Sequence, residues 1–186
     1  MTLTTTHIDE LLEQCRRGDE RAQMKVYNKY NKAMYNTALR IVKHSAEAED
    51  IMQECFLKAF EKLDSYEGTS TFGAWLKKIV VNQSITVYNK NIKYQEVSYN
   101  DQFKHAADDG FGVSTEEEEE NPKVKKILQT MDSLKENYRV TLTLHLIEGY
   151  DYEEICDILG ITYANCRTTI SRAKESLRKK LMSYEN

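Results

Sequence analysis

The chain has 186 residues, 40% of them hydrophobic and 30% charged, with a formal net charge of −4, which suits one domain or two small ones. A single Pro, seven Gly and no alternating Val/Ile/Thr-rich runs argue against a sheet and predict an all-α protein. No apolar run approaches membrane-spanning length and nothing resembles a signal peptide, so a cytoplasmic chain without membrane insertion is expected.

A first helical module runs from about 8 to 93. Asp19 is placed to cap a long helix that turns Ala22, Val26, Ala33, Thr37 and Ile41 inward. A second helix over 47–63 directs Ile51, Cys55, Phe56, Ala59 and Leu63 to a core. A loop over 64–70 contains Gly68. A third helix begins near Thr71 and carries Phe72, Trp75, Leu76, Ile79 and Val80 on one stripe. Residues 94–121 lack periodicity and include five consecutive glutamates at 116–120, the composition of a flexible acidic linker. A second module spans 122–183. Pro122 fits the first turn of a helix, and helices over 123–131 and 135–147 lead into the final segment.

That segment, 150–181, has the pattern of a helix-turn-helix. Asp151 is an N-cap with Glu154 three residues on, which is capping-box spacing. Tyr152, Ile155, Cys156 and Leu159 recur at helical spacing. Gly160 ends the helix, because Gly enters the left-handed region freely. Thr162 can cap the next helix, where Cys166, Ile170, Ala173, Leu177 and Leu181 form an apolar stripe. Arg167, Thr168, Ser171, Arg172 and Lys174 face the other way. A short helix, a tight turn and a basic amphipathic helix suit reading of a DNA major groove. The plain alternative is a helical hairpin with a solvated basic face.

A net negative chain is unexpected for a DNA binder, but the charge is uneven. Residues 1–95 carry a net +2, 96–121 a net −8 and 122–186 a net +2, and 163–182 alone reach +5. Local field governs attraction to phosphate. Cys15, Cys55, Cys156 and Cys166 form no Cys-x-x-Cys pair and the four His are scattered, so no metal or other cofactor is expected. Cys55, Cys156 and Cys166 fall on apolar stripes, as buried reduced thiols do. No glycine-rich phosphate loop and no nucleophile with a paired base is present, so an enzyme is not expected.

Three stretches taken in order carry a resemblance: AEDIMQECFLKAF from Ala48, TFGAWLKKIVVNQ from Thr71, and the segment from Leu134 through the helix-turn-helix. Together they resemble sigma factors of the sigma-70 family, in the extracytoplasmic-function (ECF) group. The resemblance covers nearly the whole chain. It implies a region 2 helical bundle and a region 4 helix-turn-helix. It departs where Leu134-Lys135 stands for the common Leu-Pro, and Ala164-Asn165-Cys166 for the frequent Gly-Thr-Val. Thr86 and Lys90 lie near the Asp and Arg that many members carry after the Asn.

The resemblance implies a function: binding core RNA polymerase through its beta-prime and beta subunits, directing it to promoters and helping to open DNA. Asp50, Gln53 and Glu54 share a helix face and match positions that grip the beta-prime clamp helices. Tyr66 matches a loop that captures a base flipped from the minus-ten element, and Asn82 can bond a base edge or hold that loop. Lys77, Lys78 and Lys90 suit phosphate contact. Arg167, Thr168, Ser171 and Arg172 match positions touching the minus-thirty-five duplex, with Lys174 and Arg178 near phosphate or solvated. An anti-sigma protein is an implied partner, and no small-molecule substrate is. The competing reading is a helix-turn-helix regulator that binds duplex DNA without polymerase.

Overall fold

A computed structural model describes residues 3–98 and 121–183, with side chains over 8–94 and 121–183. Among the described residues all regular structure is helical. The chain divides into two compact units, Met1–Gly110 and Phe111–Asn186.

The first unit packs four helices: α1 Leu3–Arg16, α2 Glu20–Val42, α3 Ser45–Glu61 and α4 Phe72–Ser98. Asp19 caps α2 as expected, Oδ1 accepting from the N–H groups of Arg21 and Ala22 at 2.8 and 3.2 Å. The His44 ring caps α3, accepting from the Glu47 N–H at 3.3 Å. Val26, Ala38, Ala48, Cys55, Ala59, Leu76 and Val80 are fully enclosed between these helices. Small residues where helices cross let the backbones approach closely.

Three features depart from the sequence reading. Ile8, Leu11, Leu12 and Cys15 are buried on α1, a helix the module boundary at residue 8 does not announce. Ala33 is exposed, and Met34 takes the inward place. Ala22, Val26, Thr37 and Ile41 are buried as expected. Helix α4 runs to Ser98, past residue 93. The acidic run at 116–120 lies outside the described residues.

The second unit comprises α5 Pro122–Asp132, α6 Glu136–Leu142, α7 Tyr152–Leu159 and α8 Tyr163–Ser183. Asn121 caps α5 ahead of Pro122 in its first turn. The helix expected over 135–147 is not regular throughout: Thr143–Ile147 widens into a π turn, in which the Glu148 N–H donates to the Thr143 carbonyl five residues back.

The helix-turn-helix forms on its own local signals. Asp151 Oδ1 accepts from the Glu154 N–H at 2.8 Å, and the Glu154 carboxylate accepts from the Asp151 N–H at 3.0 Å. Gly160 sits at φ 64°, ψ 38° and closes α7. The Thr162 hydroxyl accepts from the Asn165 N–H at 3.3 Å and opens α8. Ile155, Cys166, Ile170, Ala173 and Leu177 are buried, while Cys156 and Leu181 are half-buried. Because the capping box satisfies two helix-end donors at once, Asp151→Ala should cost about 1 kcal/mol. A lower denaturant midpoint with an unchanged slope is the expected reading.

Candidate nucleic-acid interface

The loop after α3 is held in shape by long-range contacts. The Tyr66 hydroxyl donates to the Ser70 carbonyl at 2.6 Å and closes the loop. Its ring packs against Phe72 and Trp75 at centroid distances of 5.7 and 5.5 Å. Arg16 reaches over from α1: its guanidinium donates to the Tyr66 carbonyl at 3.4 Å and lies 3.7 Å from the Asp64 carboxylate. Tyr30 packs edge-on against Phe72 at a centroid distance of 5.5 Å, and a Cβ on Gly73 would come within 3.0 Å of the Tyr30 ring. Glycine there is what lets α2 and α4 close around the aromatic cluster.

These contacts frame an open cavity of about 790 Å³, lined by Asp9, Arg16, Lys29, Tyr30, Tyr66 and Phe72 among others. Its size is in the range of small-ligand sites. It combines an aromatic wall with two cations and loop backbone. Tyr66 is half-buried, so its ring serves as wall more than as a free stacking surface. Asp9, Arg16, Lys29 and Tyr30 are not evident in sequence, because α1 and α2 meet the loop only in three dimensions.

Asn82 is exposed ten residues beyond Phe72, about 15 Å along α4. It lies outside the cavity lining. Lys78 and Lys90 are exposed on the same helix and Lys77 is half-buried. The Lys90 ammonium lies 5.8 Å from the centre of the exposed Tyr94 ring. Cation and aromatic side by side form a surface that suits single-stranded nucleic acid.

Asp50, Gln53 and Glu54 are all exposed on α3, but they are not equivalent. Glu54 accepts from the Gln83 amide of α4 at 3.3 Å and pairs with Lys58 at 3.7 Å. Lys58 also donates to Gln83 at 3.2 Å. Gln53 donates to Glu49 at 3.2 Å. Leu57, 65% exposed one turn beyond Gln53, adds an apolar surface to this face.

In the second unit Arg167, Thr168, Ser171 and Arg172 line the outer face of α8 and are exposed. The Thr168 hydroxyl donates to the Ala164 carbonyl at 2.8 Å. Farther along, Glu175 pairs with Arg178 at 2.8 Å and with Lys179 at 3.6 Å. Positive charge open to an incoming phosphate is therefore concentrated in the first half of the helix.

Lys174 is half-buried and turned toward the fold, its ammonium 3.2 Å from His145 Nε2. An ammonium only donates, so Nε2 accepts and Nδ1 carries the ring proton. That proton points to the Tyr150 carbonyl, 3.1 Å away. The π turn places His145 to make both contacts, which brace the turn against α8.

Burial pushes the Cys55 and Cys166 thiols up to about 11. Both are protonated and poorly nucleophilic at neutral pH. The Tyr150 hydroxyl is pushed up to about 12, first by burial and then by Glu148 and Glu154.

The first unit matches the family description Sigma-70 region 2 over residues 26–92, and the second matches Sigma-70, region 4 over 125–177. The chain belongs to the sigma-70 family. RNA polymerase sigma-H factor of Pseudomonas aeruginosa is 30% identical to it, covering 96% of each chain. The ECF RNA polymerase sigma-E factor of Escherichia coli K12 is 29% identical, covering 92% of each. This sigma factor is of the ECF group. Its fold is shared with the Bartonella quintana sigma factor RpoE, solved with the anti-sigma factor NepR, at a TM-score of 0.54 and 22% identity over 86% of this chain and 96% of that one. CnrH, solved with the cytosolic domain of CnrY, gives 0.53 at 21% identity over 93% and 96%. Sigma factors are transcription initiation factors, not enzymes in themselves. Among the described residues no helix of this one is long and apolar enough to cross a membrane.

Proposed function

We propose that this sigma factor divides promoter recognition between its two units. Residues 8–93 would bind core RNA polymerase through Asp50, Gln53 and Glu54 and read the opened minus-ten element. Residues 122–183 would read the minus-thirty-five duplex with Arg167, Thr168, Ser171 and Arg172. Residues 94–121 would join them. The reading places the chain in the cytoplasm, with polymerase and promoter DNA, duplex and single-stranded, as its partners.

The observation that carries this is the pairing within one unit of the loop cavity and the basic face of α4. The cavity offers Tyr66, Tyr30 and Phe72 as walls, with Lys29 among its lining and Arg16 engaged by Glu13, Asp64 and the loop backbone. Such a site can enclose a base only when it has left the duplex stack. Lys78, Asn82 and Lys90 continue along α4 as a path for the separated strand. The lysines alone would also suit duplex phosphates, so the cavity is what favours a role with separated strands over duplex reading alone.

Tyr66→Ala and Asn82→Ala should therefore slow open-complex formation more than initial promoter binding. Permanganate reactivity of thymines in the bubble reports opening, and a template mismatched over the minus-ten region should restore much of the Tyr66 loss. Equal loss on mismatched and matched templates would assign these residues to folding instead.

An anti-sigma protein is the proposed regulator. A neighbour of the same fold, RpoE of Bartonella quintana, was solved bound to the anti-sigma factor NepR. Recovery of the native chain only free or with polymerase, under non-inducing conditions, would contradict this.

A further inference from the structure

Helix α8 opens where the family resemblance breaks, with Ala164-Asn165-Cys166 in place of Gly-Thr-Val. Cys166 is fully buried and keeps the apolar place. Asn165 does something new. It is exposed in the first turn of α8, the part of a recognition helix that reaches base edges. Its backbone N–H is already bound by the Thr162 hydroxyl at 3.3 Å. Its side-chain Oδ1 accepts from the Thr169 hydroxyl, one turn on, at 3.3 Å.

That second contact orients the carboxamide. A carboxamide has two donor hydrogens and two acceptor lone pairs. Thr169 occupies one lone pair, and a carboxamide oxygen with a lone pair free beside the syn hydrogen of Nδ2 presents an acceptor next to a donor. A donor next to an acceptor complements the major-groove edge of adenine, which presents an N6 donor beside an N7 acceptor. Guanine presents two acceptors there, and one of them would face Oδ1 without a proton between them.

We infer that Asn165 is a specificity-determining residue that reads one adenine of the upstream duplex element through its carboxamide, with Thr169 as its positioning residue. The adenine N6–H donates to Oδ1, and Nδ2–H donates to N7. Arg167 and Arg172 supply guanine or phosphate contacts beside it. The inference rests on α8 being the duplex-reading helix.

The test is transcription by core polymerase and the full chain from promoters varied across the upstream element. The native protein should favour adenine at one position by about five- to 150-fold over other bases, the span of a bidentate base contact. Asn165→Ala should flatten preference at that position alone and leave the melting midpoint within a few degrees. Thr169→Val, which keeps the side-chain shape and removes the hydroxyl, should weaken the same preference partially. Replacing the adenine by 7-deazaadenine should lower use by the native protein and leave Asn165→Ala unaffected.

An unchanged preference profile for Asn165→Ala, or a uniform loss at all promoters, would overturn the inference. So would equal sensitivity of both proteins to 7-deazaadenine. Arg167→Ala and Arg172→Ala separate the two levels. If they alter promoter use while Asn165→Ala does not, only the adenine contact falls. If none of the three alters it, the assignment of α8 falls as well.

Discussion

Reversing the charge of Asp50 and Glu54 together, each to Lys, should lower affinity for core RNA polymerase at least tenfold, which is about 1.4 kcal/mol or more. Both side chains are exposed on α3, and an acidic patch accepts charge-assisted bonds from Arg on a partner. Putting cations there replaces attraction by repulsion. The fold should tolerate it. The pairs that Glu54 makes with Lys58 and Gln83 are exposed or half-buried, and such pairs contribute roughly 0–1 kcal/mol.

The two positions should not contribute equally. Glu54 is already engaged with α4, so its free carboxylate must leave those contacts to reach a partner. Asp50→Lys alone should account for most of the loss. Binding to immobilised core polymerase, with helicity followed by circular dichroism, checks both parts. Unaltered binding by the double variant would remove this face from the interface.

The largest stability effect is expected at Phe72. It is 2% exposed and its ring lies 5.5 to 5.7 Å from those of Tyr30, Tyr66 and Trp75. Phe72→Ala should destabilise the first unit by about 3–5 kcal/mol, since the aromatic partners cannot collapse fully into the space left. Function should fail in step, because the same ring walls the cavity and backs the loop. Phe72→Leu should cost less than half as much and retain most promoter opening. A denaturant midpoint for Phe72→Ala within experimental scatter of the native value would show that the cluster does not hold the loop.

What the sequence discloses depends on the range of the interactions involved. The helix-turn-helix is legible because its signals are local: Asp151 and Glu154 cap each other, Gly160 takes a positive φ, and Thr162 opens the next helix. The α3 stripe is legible for the same reason. Helix α1 carries the needed signal in Ile8, Leu11, Leu12 and Cys15, but its polar, threonine-rich start obscures it.

The cavity is a different matter. Arg16 touches the backbone of Tyr66, fifty positions away, and no periodicity encodes that. Lys174 illustrates the same limit. Its place in the sequence matches a basic face, yet His145 on the π turn draws it inward. The π turn itself has no compositional mark in Thr-Leu-His-Leu-Ile. The contrast between Asp50 and Glu54 likewise emerges only when α3 meets α4.

The chain works as a specificity subunit of a polymerase and not as a free duplex binder. Mapping transcript starts made by core RNA polymerase with and without the purified full chain tests it most directly, alongside duplex binding by the chain alone. The expected result is a discrete set of start sites that requires both components, with weak and nearly sequence-independent duplex binding by the chain on its own. Tight sequence-specific duplex binding by the free chain, with no change in where core polymerase starts, would show a duplex-binding regulator instead.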